Sequence, residues 1–116
     1  MELTVAARTV SHVMIIDLSG RFSFTDDSLR ELVNSSLQQG RRNFLLNLAA
    51  VSHLGTLGIN QMISLWKSIR NKGGVMGIVS LTDRVREVLI IPKLDTVFPI
   101  YKDETEAIKH FPNASR

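Results

Sequence analysis

A buried strand followed closely by an amphipathic helix is the feature that most constrains the fold of this chain. The apolar run at residues 44–48 is typical of a strand covered on both faces. After a short loop, a helix is predicted to begin near Thr56. The apolar stripe of this helix consists of Ile59, Met62, Ile63, Trp66 and Ile69. The loop therefore delivers residues 55–58 to the first turn of a helix.

The segment before this unit is predicted to contain a β-hairpin and a helix. Two apolar stretches, residues 3–10 and 13–18, flank a turn at Ser11-His12. A helix follows, for which Thr25 is the predicted N-cap and Gly40 the C-terminal stop. Its buried stripe is predicted to be Leu29, Leu32, Val33 and Leu37.

The segment after the central helix continues the alternation. Lys72-Gly73-Gly74 ends that helix, and residues 75–81 form a third apolar strand. A short helix capped by Thr82-Asp83 is predicted to stop at Pro92. The last elements are an edge strand at 97–101, containing Pro99, and a helix opened by Asp103, Glu104 and Glu106.

The element order is thus β-β-α-β-α-β-α-β-α. Strands that alternate with helices need crossover connections, which produce parallel strand pairs. We therefore predict a single α/β domain over residues 1–116, with a mixed, mostly parallel sheet, an N-terminal β-hairpin and about four helices. Its core is expected to span about residues 3–111, with a frayed tail at 112–116.

Composition excludes several classes of protein. The 116 residues include no cysteine, which excludes disulfides and thiolate chemistry. No apolar run approaches the roughly 20 residues of a membrane span, and the N-terminus lacks a signal-peptide pattern. The net charge is +3 and the basic residues are scattered in short groups. We expect a cytoplasmic protein that neither inserts into membranes nor binds nucleic acid directly.

No catalytic or metal-binding set emerges from the sequence. His12, His53 and His110 fall in three separate elements and show no metal-ligand spacing. The Gly55-Thr-Leu-Gly58 segment lacks the lysine of a phosphate-binding loop. Most acidic residues fall in first turns of helices, where capping explains them. We predict no enzymatic activity, no cofactor and no metal.

A binding surface is predicted at the start of the central helix. Thr56 lies where a hydroxyl group is either an N-cap or a phosphorylation target. Leu57 is predicted to point away from the core. The polar residues Asn60, Gln61 and Ser64 are predicted to share this uncovered side of the helix.

The order of short motifs resembles the STAS domain family, named for sulfate transporters and anti-sigma factor antagonists. The matching segments are Ile16-Asp-Leu-Ser-Gly-Arg21, Asn47-Leu-x-x-Val51, Thr56-x-Gly-Ile59, Gly73-Gly74, Arg84-Val-Arg-Glu-Val-Leu89, Leu94-Asp95, Val97-Phe-Pro-Ile-Tyr101 and Glu106-Ala107. The resemblance covers about residues 3–111. It implies a bacterial regulatory domain of the anti-sigma factor antagonist type, which binds a serine-kinase anti-sigma factor in partner switching.

The resemblance also implies which residues carry the function. Thr56 takes the position of the hydroxyl residue that the partner phosphorylates. The implied partner surface comprises Ser23, Phe24, His53, Gly55, Thr56, Leu57, Gly58, Asn60, Gln61 and Ser64. We expect the protein to be a monomer or a weak dimer.

The sequence departs from the family pattern beside the hydroxyl residue. Gly55 replaces the usual acid, and Leu57 replaces a small residue. Phosphorylation of Thr56 is therefore open. The alternatives are an accessory subunit of a transporter or another ATPase-type assembly, a stress-signalling scaffold, and a small-ligand-binding domain that uses the helix N-terminus.

Overall fold

The structure, a computed structural model, describes residues 3–90 and 97–111. The elements in these ranges are β1 Leu3–Val10, β2 Val13–Phe22, α1 Asp27–Gln38, β3 Asn43–Leu54, α2 Thr56–Asn71, β4 Val75–Val79, α3 Asp83–Ile90, β5 Ile100–Tyr101 and α4 Glu104–Lys109. This order confirms the predicted sequence of elements. The predicted stop at Pro92, the Leu94-Asp95 motif and the tail at 112–116 lie outside the described residues.

The five strands form one sheet in the order β1-β2-β3-β4-β5. The hairpin pair β1 and β2 is antiparallel, with Val10 opposite Val13. The pairs β2–β3, β3–β4 and β4–β5 are parallel. The predicted mixed sheet with an N-terminal hairpin is confirmed. Because the parallel strands run in one direction, their carboxyl ends share one edge of the sheet.

The two faces of the sheet are covered unequally. The helices α1, α2 and α3 pack on one face, where buried residues of all three join the main core with Ile16, Phe44 and Leu46. The short helix α4 covers the other face through Ala107, beside Ile15 and Leu45. Strand β3 therefore contributes side chains to both cores, which explains its uninterrupted apolar run.

Strand β3 is longer than the sequence predicted. It continues past Leu48 to Leu54, and Gly55 alone separates it from α2. Two register shifts against β2 each insert one extra residue into β3. These bulges explain the mixed polarity of residues 49–53, which hid the strand in the sequence. The prediction of a loop after Leu48 was therefore wrong.

Two helix boundaries also differ from their predicted positions. The N-cap of α1 is Asp26, not Thr25, because the Asp26 carboxylate accepts a 2.9 Å hydrogen bond from the Leu29 amide. The last strand comprises only Ile100–Tyr101, although its predicted edge position is correct. Pro99 does not pair as a strand residue, but its carbonyl accepts a hydrogen bond from Ile78.

The buried face of α2 is rotated by about one residue from its predicted phase. Gly58, Met62, Leu65 and Ile69 are buried, whereas Ile59, at the start of the predicted stripe, is only half-buried. The glycine lets the first turn of the helix lie against the sheet edge. The buried face of α2 is consequently centred on Gly58 and not on Ile59.

An ion-pair network attaches α4 to the sheet. The Arg8 guanidinium on β1 donates two hydrogen bonds to Asp17 on β2, of 2.6 and 3.0 Å, and two to Glu104 on α4. The Asn47 amide on β3 donates to the same Glu104 carboxylate at 2.9 Å. Hydrogen bonding to Asp17, and next to Glu104, raises the pKa of Arg8 above its usual value.

Candidate functional site

The start of α2 is a helix N-terminus without a side-chain cap. Gly55 is the N-cap residue, and its extended backbone places no hydrogen-bonding side chain over the first turn. Its amide donates to the Phe22 carbonyl at 3.0 Å, which ties the helix start to the end of β2. Thr56 is the first helical residue and is exposed. The interpretation of Thr56 as an N-cap is therefore wrong.

Gly58 holds this helix start against the sheet edge. A Cβ atom on Gly58 would lie 2.1 Å from the Phe22 carbonyl oxygen, so only glycine fits without displacing backbone. Gly58 is buried and has no side chain to offer. Gly58 was predicted to belong to the partner surface, but the structure buries it. Its role is instead to position Thr56 and Leu57.

Four exposed residues follow one another along the solvent side of α2. We call Thr56, Leu57, Asn60 and Ser64 the α2 surface. Leu57 is 52% exposed, which confirms that its side chain points away from the core. The surface combines one large apolar side chain with hydroxyl and amide groups and carries no charge. Such a composition suits the core of a protein interface, from which charged residues are depleted.

Gln61 does not belong to this surface. It is only 5% exposed, and its side chain makes two hydrogen bonds of 2.8 Å to the backbone of Asp26. The Gln61 amide thus accepts from the Asp26 N–H and donates to the Asp26 carbonyl through its two adjacent polar atoms. Gln61 was predicted to lie on the uncovered side of α2, and this predicted exposure was wrong. Gln61 instead fixes α2 to the N-cap of α1.

Two residues of neighbouring segments that were predicted to belong to the partner surface, Ser23 and His53, lie beside Gly55. A Cβ on Gly55 would be 3.2 Å from the Ser23 Cβ and 3.5 Å from the His53 Nε2. His53 is on β3, paired with Arg21, and not in a loop as predicted. Ser23, Phe24 and His53 are each half-buried. Ser23 and His53 flank the start of α2 and limit the space for a larger residue at position 55.

Sequence reasoning missed the contribution of α1 to this region. Thr25 and Arg30 line a hollow of about 270 Å³ together with Asn60, Gln61, Ser64 and Leu65. Arg30 also forms an ion pair with Asp27 at 2.8 Å. The stripe of α1 located its buried face, but nothing in the sequence showed which helix would lie beside it. The sequence therefore contained no signal that Arg30 would lie beside α2.

The electrostatics of this region favour a phosphate at Thr56. The first-turn amides of α2 have no intrahelical acceptors and no acidic side chain lies in that turn. The positive end of the helix dipole is therefore uncompensated there. A phosphate on the Thr56 hydroxyl would add about −1.5 to −2 charges beside these amides.

The histidines have separate structural surroundings. His12 contacts the Phe111 carbonyl through Nε2 at 3.0 Å, and His110 stacks on Tyr101 with ring centroids 5.2 Å apart. Together with His53 beside Gly55, they occupy three different places. Within residues 3–90 and 97–111, no group of three His, Asp or Glu side chains could hold a metal ion. None of the described helices is long and apolar enough to cross a membrane.

Comparison with known proteins places this architecture in one family. The model of the STAS domain matches residues 4–107. The chain belongs to the STAS domain family. The predicted family is thereby confirmed, and the five-stranded mixed sheet with four helices matches the STAS fold.

Two curated relatives have related descriptions. A Paenibacillus polymyxa anti-sigma F factor antagonist is 26% identical over 110 residues, which cover 93% of this chain and 94% of that protein. A Thermotoga neapolitana protein, described provisionally as an anti-sigma factor antagonist, is 32% identical over 73 residues. That match covers 63% of this chain and spans 65% of the relative's length.

Solved structures share the fold at low sequence identity. An anti-sigma factor antagonist from Mycobacterium paratuberculosis superimposes with a TM-score of 0.82 at 20% identity, covering 95% of this chain and 94% of that one. The Bacillus cell fate determinant SpoIIAA in its phosphorylated form gives a TM-score of 0.70 at 16% identity, with 91% and 97% coverage. These likenesses support the fold.

Proposed function

We propose that this chain acts as an anti-sigma factor antagonist in partner switching, without catalysis of its own. Its partner would be a serine-kinase anti-sigma factor, bound in the cytoplasm. Support comes from relatives described as anti-sigma factor antagonists, one of which aligns over nearly the whole chain. Residues 3–111 would form the single domain that binds this partner. The protein would not bind nucleic acid directly.

The observation that carries the proposal is the exposed Leu57 beside Thr56 on an uncharged helix side. Leu57 is 52% exposed, so its apolar side chain is available for a partner to cover. The polar neighbours Asn60 and Ser64 can form hydrogen bonds around such a contact. Interface energy commonly concentrates in a few central side chains with near-neutral surroundings. Leu57 would be that central side chain.

Thr56 would provide the control of this contact. A phosphate there would lie next to Leu57, so docking would have to desolvate it without a basic residue in the first turn of α2 to pair with. The nearest basic side chain of α1, Arg30, already pairs with Asp27. Phosphorylation would therefore weaken docking while the exposed helix start holds the group at little cost to folding.

Gly55 would set the rate of that phosphorylation. In the family pattern an acid precedes the hydroxyl residue, and here its carboxylate is absent. The backbone of Gly55 lies in the extended region that a capping Asp also adopts. Contacts with Ser23 leave limited room for a side chain. The wild-type chain would thus be a slow substrate for its kinase.

Capture of the partner tests the proposal. The chain would be used as bait in extracts of its native host, in wild-type form and as Thr56→Glu, with bound proteins identified by mass spectrometry. We expect wild type to retain an ATPase-type kinase that Thr56→Glu loses. Capture of transporter components by both baits would instead favour the accessory-subunit alternative.

A further inference from the structure

A second concave site lies at the carboxyl ends of β4 and β5. It has a volume of about 550 Å³, twice that of the hollow beside α2, and shares no lining residue with it. Its walls come from the segment that follows β4, from α3 and from residues 97–102. Small-molecule sites typically measure about 300–1,000 Å³, so this volume suits a small ligand.

The lining combines apolar walls with two cations. Leu81, Val97 and Ile100 contribute apolar surface, while Arg86 on α3 and Lys102 after β5 contribute the charges. Neither cation forms an ion pair with any described residue. No acidic residue is among the described lining residues. Among the residues that the structure describes, no ion pair neutralises these two positive charges, which lie next to an apolar wall.

One lining residue of the cavity has an unusual backbone conformation. Ser80, directly after β4, has φ 63°, in the left-handed region that non-glycine residues rarely adopt. This turn directs the chain to Thr82, whose hydroxyl caps α3 by accepting from the Val85 amide at 3.2 Å. Such conformations concentrate at ligand sites.

We propose that this cavity binds a small amphipathic anion. A carboxylate or phosphate head would lie between Arg86 and Lys102, and an aliphatic body of a few carbons would cover Leu81, Val97 and Ile100. A guanidinium can contact either head group through two parallel hydrogen bonds. The site is separate from the α2 surface and does not depend on the identity of any protein partner.

The test is an NMR titration of the ¹⁵N-labelled full chain with three six-carbon probes. Hexanoate and hexyl phosphate carry the two candidate head groups, and hexan-1-ol is the neutral control. We expect saturable shifts at the amides of Leu81, Ile100 and Lys102 with at least one anion. Hexan-1-ol is expected to bind at least about fivefold more weakly, because it offers no charge to the two cations. The tighter anion identifies the head group.

Matched variants of α3 decide whether the cavity is responsible. Arg86→Gln is expected to raise the Kd of the better anion by about fivefold or more, since one charge-assisted contact is lost. Arg84→Gln removes the same charge from an exposed residue that does not line the cavity, and should change Kd by less than about twofold. Equal binding of hexan-1-ol, equal effects of the two substitutions, or no saturable shift with either anion would overturn the proposal.

Discussion

Replacing Gly58 with alanine probes the contact that positions the candidate site. A Cβ on Gly58 would lie 2.1 Å from the Phe22 carbonyl oxygen and 3.1 Å from the Leu54 Cδ1. Side-chain carbons essentially never come within 3.0 Å of a backbone atom. The start of α2 must therefore move by about 1 Å away from the end of β2, because packed interiors leave no spare room.

The change in the free energy of unfolding caused by Gly58→Ala follows from two opposing effects. Alanine is favoured over glycine inside a helix by about 1 kcal/mol. Overpacking of a close-packed contact costs about 1–3 kcal/mol or more, and this contact involves backbone, which yields less than a side chain. We expect a net loss of about 2 kcal/mol in the free energy of unfolding. For a chain of this length that corresponds to a decrease in Tm of about 8 °C.

The assay is thermal and urea unfolding followed by circular dichroism, with Ser64→Ala as the matched control. Ser64 is exposed on the same helix, so its replacement should stabilise the domain by up to about 0.5 kcal/mol. The same amino acid thus has opposite effects at positions 58 and 64. If Gly58→Ala melts at or above the temperature of Ser64→Ala, the close approach of α2 to β2 is refuted.

Three further substitutions test the packing of α2 on α1, the attachment of α4 to the sheet, and the residue before Thr56. Gln61→Leu should cost about 2 kcal/mol of unfolding free energy, because it leaves the Asp26 backbone N–H unpaired and removes one of the two hydrogen bonds to the Asp26 carbonyl; an unchanged urea midpoint would contradict this. Arg8→Met should cost no more than about 1 kcal/mol, since its ion pairs are partly exposed, and should speed amide exchange in α4. With the purified kinase partner and ATP, mass spectrometry should find one phosphate on Thr56, added faster in Gly55→Asp than in wild type. Equal rates would exclude an effect of the missing acid.

Much of the fold was predictable because its signals are local. The apolar run at 44–48 and the glycines after α1 and α2 mark element type and ends directly. The alternation of strands and helices then leaves few topologies. The β-bulges in β3 were not predictable, because register depends on the partner strand and not on the strand's own sequence.

The candidate site was predicted less completely, since it depends on how helices lie against each other. Thr56 was recognised from its position at the helix start and Leu57 from helix phase, and both are exposed. Gln61 was misassigned because a polar residue at that phase is normally solvated, and only the neighbouring Asp26 backbone makes its burial favourable. Arg30 was missed for the same reason, as the packing of α1 beside α2 is a tertiary property.

The most direct test of the central claim is calorimetry of the identified partner with Leu57→Arg and Val97→Arg. Leu57 and Val97 are the large hydrophobic residues that are exposed in the described part of the chain, and only Leu57 lies on the α2 surface. We expect Leu57→Arg to raise Kd by about 30-fold, equivalent to about 2 kcal/mol, with unchanged circular dichroism. Val97→Arg should leave Kd within about twofold of wild type. Unchanged affinity for Leu57→Arg, or equal losses for both variants, would contradict docking through the start of α2.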